Sequence, residues 1–314
     1  MQNTRAKIFH ILKSQQFSRN WLEQEFFPEV DRMRKALASK AHLSTLAGKS
    51  ICVLFYEPST RTRLSFQQAA LKLGATVVDT ENAKEFSSAI KGETIEDTTR
   101  VVNALGFDAM IMRSDQEGAA DKAAVVSNIP IINGGDGTGQ HPTQALLDLV
   151  TIHEHFPKID GLKVAFVGDL KNGRTVRSLS YLLAKFQNMH FELIAPDSLQ
   201  MRSDILDYFK KHKISFNMGA NLSKVADKVN VIYMTRAQKE RMKPGEKFDA
   251  NGVRITKEIL KKLKKDTIIM HPLPRSNDFN EIPEEFTDDE RVVIFDQVEN
   301  GLYTRMALLN MVVK

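Results

Sequence analysis

Apolar and polar positions along this chain fall into two alternating rhythms. Ile51-Cys52-Val53-Leu54-Phe55 is a short unbroken apolar run, the pattern of a strand covered on both faces. Pro58 stops it, and Leu64, Phe66, Ala70, Leu71 and Leu73 then recur at helical spacing until Gly74, predicting a helix that opens at Ser59-Thr60. The couplet repeats. Thr76-Val77-Val78 reads as a strand, 79–93 as a polar loop, and Val101, Val102 and Leu105 as a helix closed by Gly106. Strand Ala109-Met110-Ile111-Met112, helix 117–127 and strand Ile129 to Ile132 come next. The run Gly134-Gly135-Asp136-Gly137-Thr138-Gly139 is too irregular for a dinucleotide fingerprint and reads as a mobile turn. It delivers His141-Pro142-Thr143-Gln144, with Pro142 at the first position of a helix that runs to about Phe156.

A second series begins after Gly161. Val164 to Gly168 is a strand, and Asn172-Gly173-Arg174-Thr175 opens a helix. Strand 191–195, helix 204–212, strand 214–217, helix 221–229 and strand Val231 to Met234 continue it. Helix 256–265, strand Thr267 to Met270, strand Val292 to Phe295 and a last helix from about Gly301 complete the pattern. Residues 1–50 read as helical and peripheral, with a cap in Phe17-Ser18-Arg19-Asn20 and a core-facing stripe of Trp21, Phe26, Phe27, Val30, Met33 and Leu37. This βαβ rhythm predicts an α/β fold of two domains, each a parallel sheet flanked by helices, with the site in the cleft between them. The expected division is 1–142 with the C-terminal helix 299–314 packing back on it, and 143–298.

Composition narrows the class. At 314 residues with 42% hydrophobic and 26% charged content, the chain is ordinary for a globular protein. No apolar run approaches the roughly 20 residues that span a bilayer, so no membrane association is expected. The single cysteine, Cys52, lies in a predicted buried strand, which excludes a disulfide framework and points to a reducing cytoplasm. The net charge of +5 is spread along the chain, and the Lys257–Lys265 cluster reads as a solvated helix face, so no nucleic-acid partner is called for.

Charge placement carries the functional signal. A helix N-terminus is partly positive, so cations in its first turn are disfavoured. The turn after Ser59 nevertheless holds Arg61 and Arg63. An anion held by N–H groups, the Ser59 and Thr60 hydroxyls and a guanidinium would resolve that conflict; pairing with an acid such as Glu57 is the plainer alternative, favoured for Arg63. Other candidates fall at the same sheet edges: Arg113 after strand 109–112, His141 and Gln144 at a helix start, Arg174 at another, Arg236 after strand 231–234, and His271-Pro272-Leu273-Pro274-Arg275 after strand 267–270. Arg61, Arg113, Arg174 and Arg236 together suit substrates rich in phosphate and carboxylate. His141 fits a neutral donor to a developing oxyanion better than a general base. Nothing near it has metal-ligand spacing, so no zinc site is expected. Gly168 to Gly173 lacks the G-x-G-x-x-G spacing of a dinucleotide enzyme.

Three motifs, Ser59-Thr60-Arg61-Thr62-Arg63 with Phe66, His141-Pro142-Thr143-Gln144-Ala145-Leu146-Leu147-Asp148, and His271-Pro272-Leu273-Pro274-Arg275, resemble the signatures of the aspartate/ornithine carbamoyltransferases, in order and over nearly the whole chain. Pro272 stands where the ornithine branch has cysteine, and Thr235-Arg236-Ala237-Gln238-Lys239-Glu240-Arg241 resembles the aspartate branch. One departure is Gln67, where many relatives have glutamate.

The resemblance implies a transferase that moves the carbamoyl group of carbamoyl phosphate to the amine of L-aspartate, giving N-carbamoyl-L-aspartate and phosphate in de novo pyrimidine biosynthesis. It implies a carbamoyl phosphate-binding first domain, an aspartate-binding second domain and no cofactor. Ser59, Thr60, Arg61 and Thr62 would hold the phosphate. Arg113, His141 and Thr62 would polarise the carbamoyl oxygen, and Gln144 with the backbone at Leu273 and Pro274 would hold the carbamoyl amide. Arg61, Thr62, Arg113 and His141 are the implied catalytic group. Arg174 and Arg236 would clamp the aspartate carboxylates, with Gln238 nearby, and Lys91 with Ser87 would reach the site from a neighbouring subunit of a homotrimer. Regulatory or partner chains are possible in the family. The alternatives are another amine acceptor such as ornithine, or a non-catalytic phosphometabolite-binding homologue.

Overall fold

The computed structural model describes residues 9–236, 252–276 and 279–313. The chain divides into two compact units, Met1–Thr143 with Gly301–Lys314, and Gln144–Asn300. Among the described residues no helix is long and apolar enough to cross a membrane.

The first unit is built on four parallel strands in the order β2-β1-β3-β4: β1 (Ser50–Phe55), β2 (Thr76–Thr80), β3 (Ala109–Ser114) and β4 (Ile131–Asp136). Helices α1 (Arg19–Trp21), α2 (Phe27–Ala38), α3 (Thr60–Lys72), α4 (Ala83–Phe86), α5 (Ile95–Ala104) and α6 (Ala119–Val126) flank and connect them. On one sheet face Cys52, Leu54, Met110, Met112 and Ile131 pack with Val102 of α5 and Ala119, Ala120 and Ala123 of α6. The alanines allow close approach of helix to sheet, and the run of apolar residues on β1 is explained by cover on both faces. Ser18 caps α1 by accepting from the Trp21 backbone N–H at 3.1 Å, as the cap signal predicts. Trp21, Phe26, Phe27, Val30 and Met33 are buried, while Leu37 is only half-buried.

The second unit holds five parallel strands in the order β7-β6-β5-β8-β9: β5 (Lys163–Val167), β6 (His190–Ile194), β7 (Ser215–Gly219), β8 (Val231–Met234) and β9 (Ile268–Met270). Its helices are α8 (Arg174–Leu183), α9 (Ser203–Lys211) and α10 (Lys257–Lys262). Phe166 meets Phe191 edge-on at 5.4 Å and Tyr233 at 6.0 Å, and Phe209 of α9 closes on Phe191 at 5.1 Å. Ala165, Val167, Ile232, Met234 and Ile269 belong to a separate buried cluster with Val253, Ile255 and Ile259. Helices α7 (Pro142–His155) and α11 (Ile294–Val312) each begin in one unit and end in the other. The C-terminal part of α11 lies on the first unit's helices: Arg305 sits over the Phe66 ring at 5.1 Å, and Asn310 donates to Glu29 at 2.8 Å.

Four expectations are corrected. Arg113 lies within β3 and not after it, because β3 continues to Ser114. Gly134, Gly135 and Asp136 are strand, and the turn begins only at Gly137; a Cβ at Gly134 would meet the Met112 carbonyl at 3.1 Å, so glycine is what lets β4 lie this close to β3. Segment 221–229 forms only a 3₁₀ turn, Leu222–Lys224: the Asn221 side chain accepts from Ser223 N at 2.9 Å and closes the chain locally, and Val225 leaves helical geometry. Segment 292–295 contributes one bridge, Val292 to Ile269, and α11 begins at Ile294, seven residues before the predicted start (301 against 294). Four apolar residues in a row do not distinguish a strand from a buried helical turn.

Candidate active site

In a parallel sheet the strand order reverses at one point, and the loops leaving the carboxyl ends of the two strands there diverge to opposite faces and open a crevice. That point lies between β1 and β3 in the first unit, and between β5 and β8 in the second. Residues 59–62 and Arg113 lie at the first and Arg174 and Arg236 at the second, whereas His141 and Gln144 follow β4 and residues 271–275 follow β9.

At the first switch point β1 ends in Phe55 and the chain turns through Tyr56, Glu57 and Pro58 into α3. Ser59 takes the N-cap position with extended backbone, and its side chain makes no capping bond. No acid occupies the first turn of α3. Arg61 is exposed and Thr62 buried. Arg63 points away to the C-terminal end of β2, where Nε donates to the Asp79 carboxylate at 2.7 and 2.9 Å and Nη1 to Glu81 at 2.6 Å. Of the two arginines that opened the question, Arg63 is therefore structural.

Arg113 comes from β3, directly across from Phe55. Its Nη2 donates to Glu57 at 3.0 Å and its Nη1 to the Gly134 carbonyl at 3.1 Å. The plainer alternative of an acid partner thus applies to Arg113, and the acid is Glu57. A Cβ on Gly134 would lie 3.6 Å from Thr62 Cγ2, so Thr62 and Arg113 both border Gly134, and Glu57 joins them through Arg113. His141 is buried immediately before α7. Asp136 shapes the loop that delivers it: its carboxylate accepts from Gln140 N at 2.5 Å and from Gly118 N at 2.9 Å. Gly137 turns at φ +47°, where a Cβ would strike the Asp115 carbonyl at 2.6 Å. Sequence reading missed Asp136; its place between glycines at a strand end was the available signal. Ser87 and Lys91 lie on a separate segment, with Lys91 exposed and the Ser87 hydroxyl donating to the Ala83 carbonyl at 2.5 Å.

At the second switch point β5 ends in Val167, and Gly168, at φ +113°, lets the chain pass Thr235, whose carbonyl a Cβ would meet at 2.3 Å. Thr235 is pinned by its N–H and hydroxyl to the Val167 carbonyl at 2.8 and 3.0 Å, which fixes where Arg236 leaves β8. Buried Asp169 accepts from Asn172 N at 3.0 Å and holds the turn that places Arg174 at the start of α8. Gln238 lies outside the described residues.

Gln144, on the first turn of α7, donates through Nε2 to Asp148 Oδ1 at 3.0 Å. Asp148 is wholly buried and also accepts from Gln297 Nε2 at 2.8 Å and, on Oδ2, from the Tyr233 hydroxyl at 2.6 Å. Burial and the Asp148 charge raise the Tyr233 phenol far above its ordinary value, so it stays a donor. Gln297 in turn accepts from His271 N at 2.7 Å. The His271 ring takes the Leu273 N–H on Nδ1 at 2.8 Å, which leaves Nε2–H to donate to Glu281 at 2.9 Å. Leu273 itself sits at φ +56°, a strained setting for a branched side chain that this bond holds, and the Leu273–Pro274 peptide is cis. Burial alone would push the Glu281 carboxyl up, yet the His271 bond and the backbone N–H groups of 281 and 276 bring it below its ordinary value. The structure therefore joins Gln144 to the 271–276 loop through one polar network.

A family model described as the aspartate/ornithine carbamoyltransferase carbamoyl-P binding domain matches residues 10–154, and one described as the Asp/Orn binding domain matches 160–312. The chain belongs to the aspartate/ornithine carbamoyltransferase family. A chloroplastic aspartate carbamoyltransferase of Arabidopsis thaliana is 47% identical over 310 residues, covering 97% of this chain and 78% of that one. An aspartate carbamoyltransferase catalytic subunit of Methanocaldococcus jannaschii is 41% identical over 92% of this chain and 93% of its own. Among solved structures, aspartate transcarbamoylase from Trypanosoma cruzi in complex with carbamoyl phosphate and aspartate superposes with a TM-score of 0.91 at 35% identity, covering 98% of each chain. All three names fall on the aspartate side of the family.

Proposed function

We infer that this chain is a carbamoyltransferase that joins the carbamoyl group of carbamoyl phosphate to the amine of L-aspartate, releasing N-carbamoyl-L-aspartate and phosphate, a step of de novo pyrimidine synthesis. The observation that carries the reading is the acid-free opening turn of α3 at a switch point, with Arg61 exposed, beside Arg113 on the adjacent strand. Helix N–H groups, the Ser59 and Thr60 hydroxyls and the Arg61 guanidinium form a cradle for a phosphate dianion.

In the proposed reaction the aspartate amine attacks the carbamoyl carbon. A C–N bond forms, oxyanion character builds on the carbonyl oxygen, the C–O bond to phosphate breaks, and the proton lost by the amine leaves on the departing phosphate. Thr62, Arg113 and His141 are assigned to that oxyanion, where a preorganised donor is worth about 10²–10³ in rate. Gln144 and the Leu273–Pro274 backbone receive the carbamoyl amide. Arg174 and Arg236 take the aspartate carboxylates, with Gln238 beside them. Residues 1–142 with 299–314 then form the carbamoyl phosphate-binding domain and 143–298 the aspartate-binding domain. Lys91 and Ser87 serve the site of a neighbouring subunit in a homotrimer. Exposed Phe86 and Ile90 flank these residues, an apolar pair suited to burial in a subunit contact. Buried Cys52, its thiol pushed up to about 11 by burial and then by the Asp79 charge, suits a reducing compartment such as the cytoplasm.

Phosphate release from carbamoyl phosphate, measured with aspartate and ornithine side by side, tests the assignment. Release with aspartate alone is expected. Release with ornithine alone would reassign the acceptor, and tight substrate binding without release would make the chain a non-catalytic homologue. Light scattering tests the trimer.

A further inference from the structure

A glutamine can present either its oxygen or its NH₂ to a ligand, and electron density alone seldom separates the two. For Gln144 the surroundings decide. Asp148 meets it with a carboxylate oxygen at 3.0 Å, and a carboxylate only accepts. The NH₂ is therefore turned inward and the carbonyl oxygen outward. Asp148 is itself fixed: Gln297 and Tyr233 donate to it from two further elements. Gln144, Gln297 and Tyr233 are neutral donors, all aimed at one carboxylate in the core of the second unit. Such a buried carboxylate is costly unless its oxygens are satisfied, and here both are.

We propose that Asp148 is a specificity-determining positioning residue: by locking Gln144 with its carbonyl oxygen toward the substrate, it makes the site read the NH₂ of a carbamoyl group and reject acyl phosphates that lack a donor there. The inference rests on the assignment of Gln144 to the carbamoyl amide. The same network reaches Leu273 N–H through Gln297 and His271, so the second part of the amide-binding set is anchored to the same carboxylate. Asp148 touches no substrate in this scheme; it acts through Gln144.

Acetyl phosphate is the discriminating probe, since it keeps the phosphate and carbonyl and replaces NH₂ with a methyl group. The measured quantity is the ratio of the acetyl phosphate inhibition constant to the carbamoyl phosphate KM, in the intact enzyme with aspartate present. Asp148→Asn keeps size and removes the acceptor-only character, so Gln144 is free to invert. That ratio is expected to fall by about 10-fold or more, chiefly through weaker carbamoyl phosphate use, because a site built around one hydrogen bond loses discrimination with it. Gln144→Ala should lower it comparably, and the double variant no further. A proportional weakening of both ligands in Asp148→Asn would show a merely structural role and overturn the proposal. An unchanged ratio in Gln144→Ala would instead remove the amide-reading assignment beneath it. Should Asp148→Asn not fold, Asp148→Glu keeps the charge and displaces the anchor by one methylene, and an unchanged ratio there would equally sink the idea.

Discussion

Arg113 and Glu57 meet at 3.0 Å across the gap between β3 and the loop that opens α3. The contact ties a cation on one strand to the turn that presents Ser59, Thr60 and Arg61. Its side chains are only 11% and 25% exposed, so the attraction is offset by the cost of taking both charges out of water, and the pair is weak evidence for stability. Its larger effect is on where the guanidinium points. Glu57→Gln is expected to lower kcat/KM for carbamoyl phosphate about 10-fold while moving Tm by no more than about 4 °C. A large Tm loss with unchanged kinetics would assign the pair to structure alone.

Removing a donor to the developing oxyanion should cost turnover and leave the fold intact. Arg113→Ala and His141→Ala are each expected to reduce kcat by about 10²–10³, with the smaller loss at His141. Single-turnover phosphate release separates this from slower product loss; near-normal turnover in either variant removes that residue from the oxyanion set.

The two arginines of α3 should part company. Arg63 is bonded to Asp79 and Glu81 on the same unit, whereas Arg61 is exposed at the opening turn. Arg63→Ala is expected to lose about 1 kcal/mol of stability with modest kinetic change, the charge-assisted fork being partly screened. Arg61→Ala should keep its melting curve and lose carbamoyl phosphate binding by about 10-fold or more, on the order of one charge-assisted bond. Titration with inorganic phosphate reads the difference directly, and equal phosphate affinity in Arg61→Ala and the parent would count against the cradle.

Glu281 gives the fold a specific acid limit. Its carboxyl is held below its ordinary value by His271 Nε2–H and two backbone N–H groups, against the opposing effect of burial. A depressed folded-state value contributes stability that is fully present above the ordinary value near 4.5 and is lost as pH falls through the lower folded value. Glu281→Gln should therefore flatten the loss of stability below about pH 4.5, at a cost near neutrality of about 2 kcal/mol for one bond to a charged group. Urea unfolding at several pH values tests it; parallel pH profiles for variant and parent would contradict the linkage.

The strand and helix succession was readable because each couplet carries its own signal. Val231–Met234 is a strand over the residues its apolar run marks, and Pro142 opens α7 where a fixed φ and a missing N–H cost nothing. Boundaries failed where glycine or a short apolar run left two geometries open, as at Gly134 and at Ile294. The cationic residues were visible as violations of helix-end electrostatics; their partners were not. Glu57 lies 56 positions from Arg113, Tyr233 lies 85 from Asp148, and Gln297 lies 149 from it. No local pattern encodes such separations. The Gln144–Asp148 bond, four positions apart on one helix, was by contrast available to inspection as a pair on one helical face.

The division of the chain also bears on how it is made. The first unit draws on two stretches separated by the whole of the second, and α11 begins in the other unit before its last turns cover Phe66 and Glu29. A ribosome working from the amino terminus therefore completes the residues of the second unit while the first still lacks its closing helix. The unit that starts first must finish last, and a released chain truncated near residue 300 would carry one whole unit and one with an open seam.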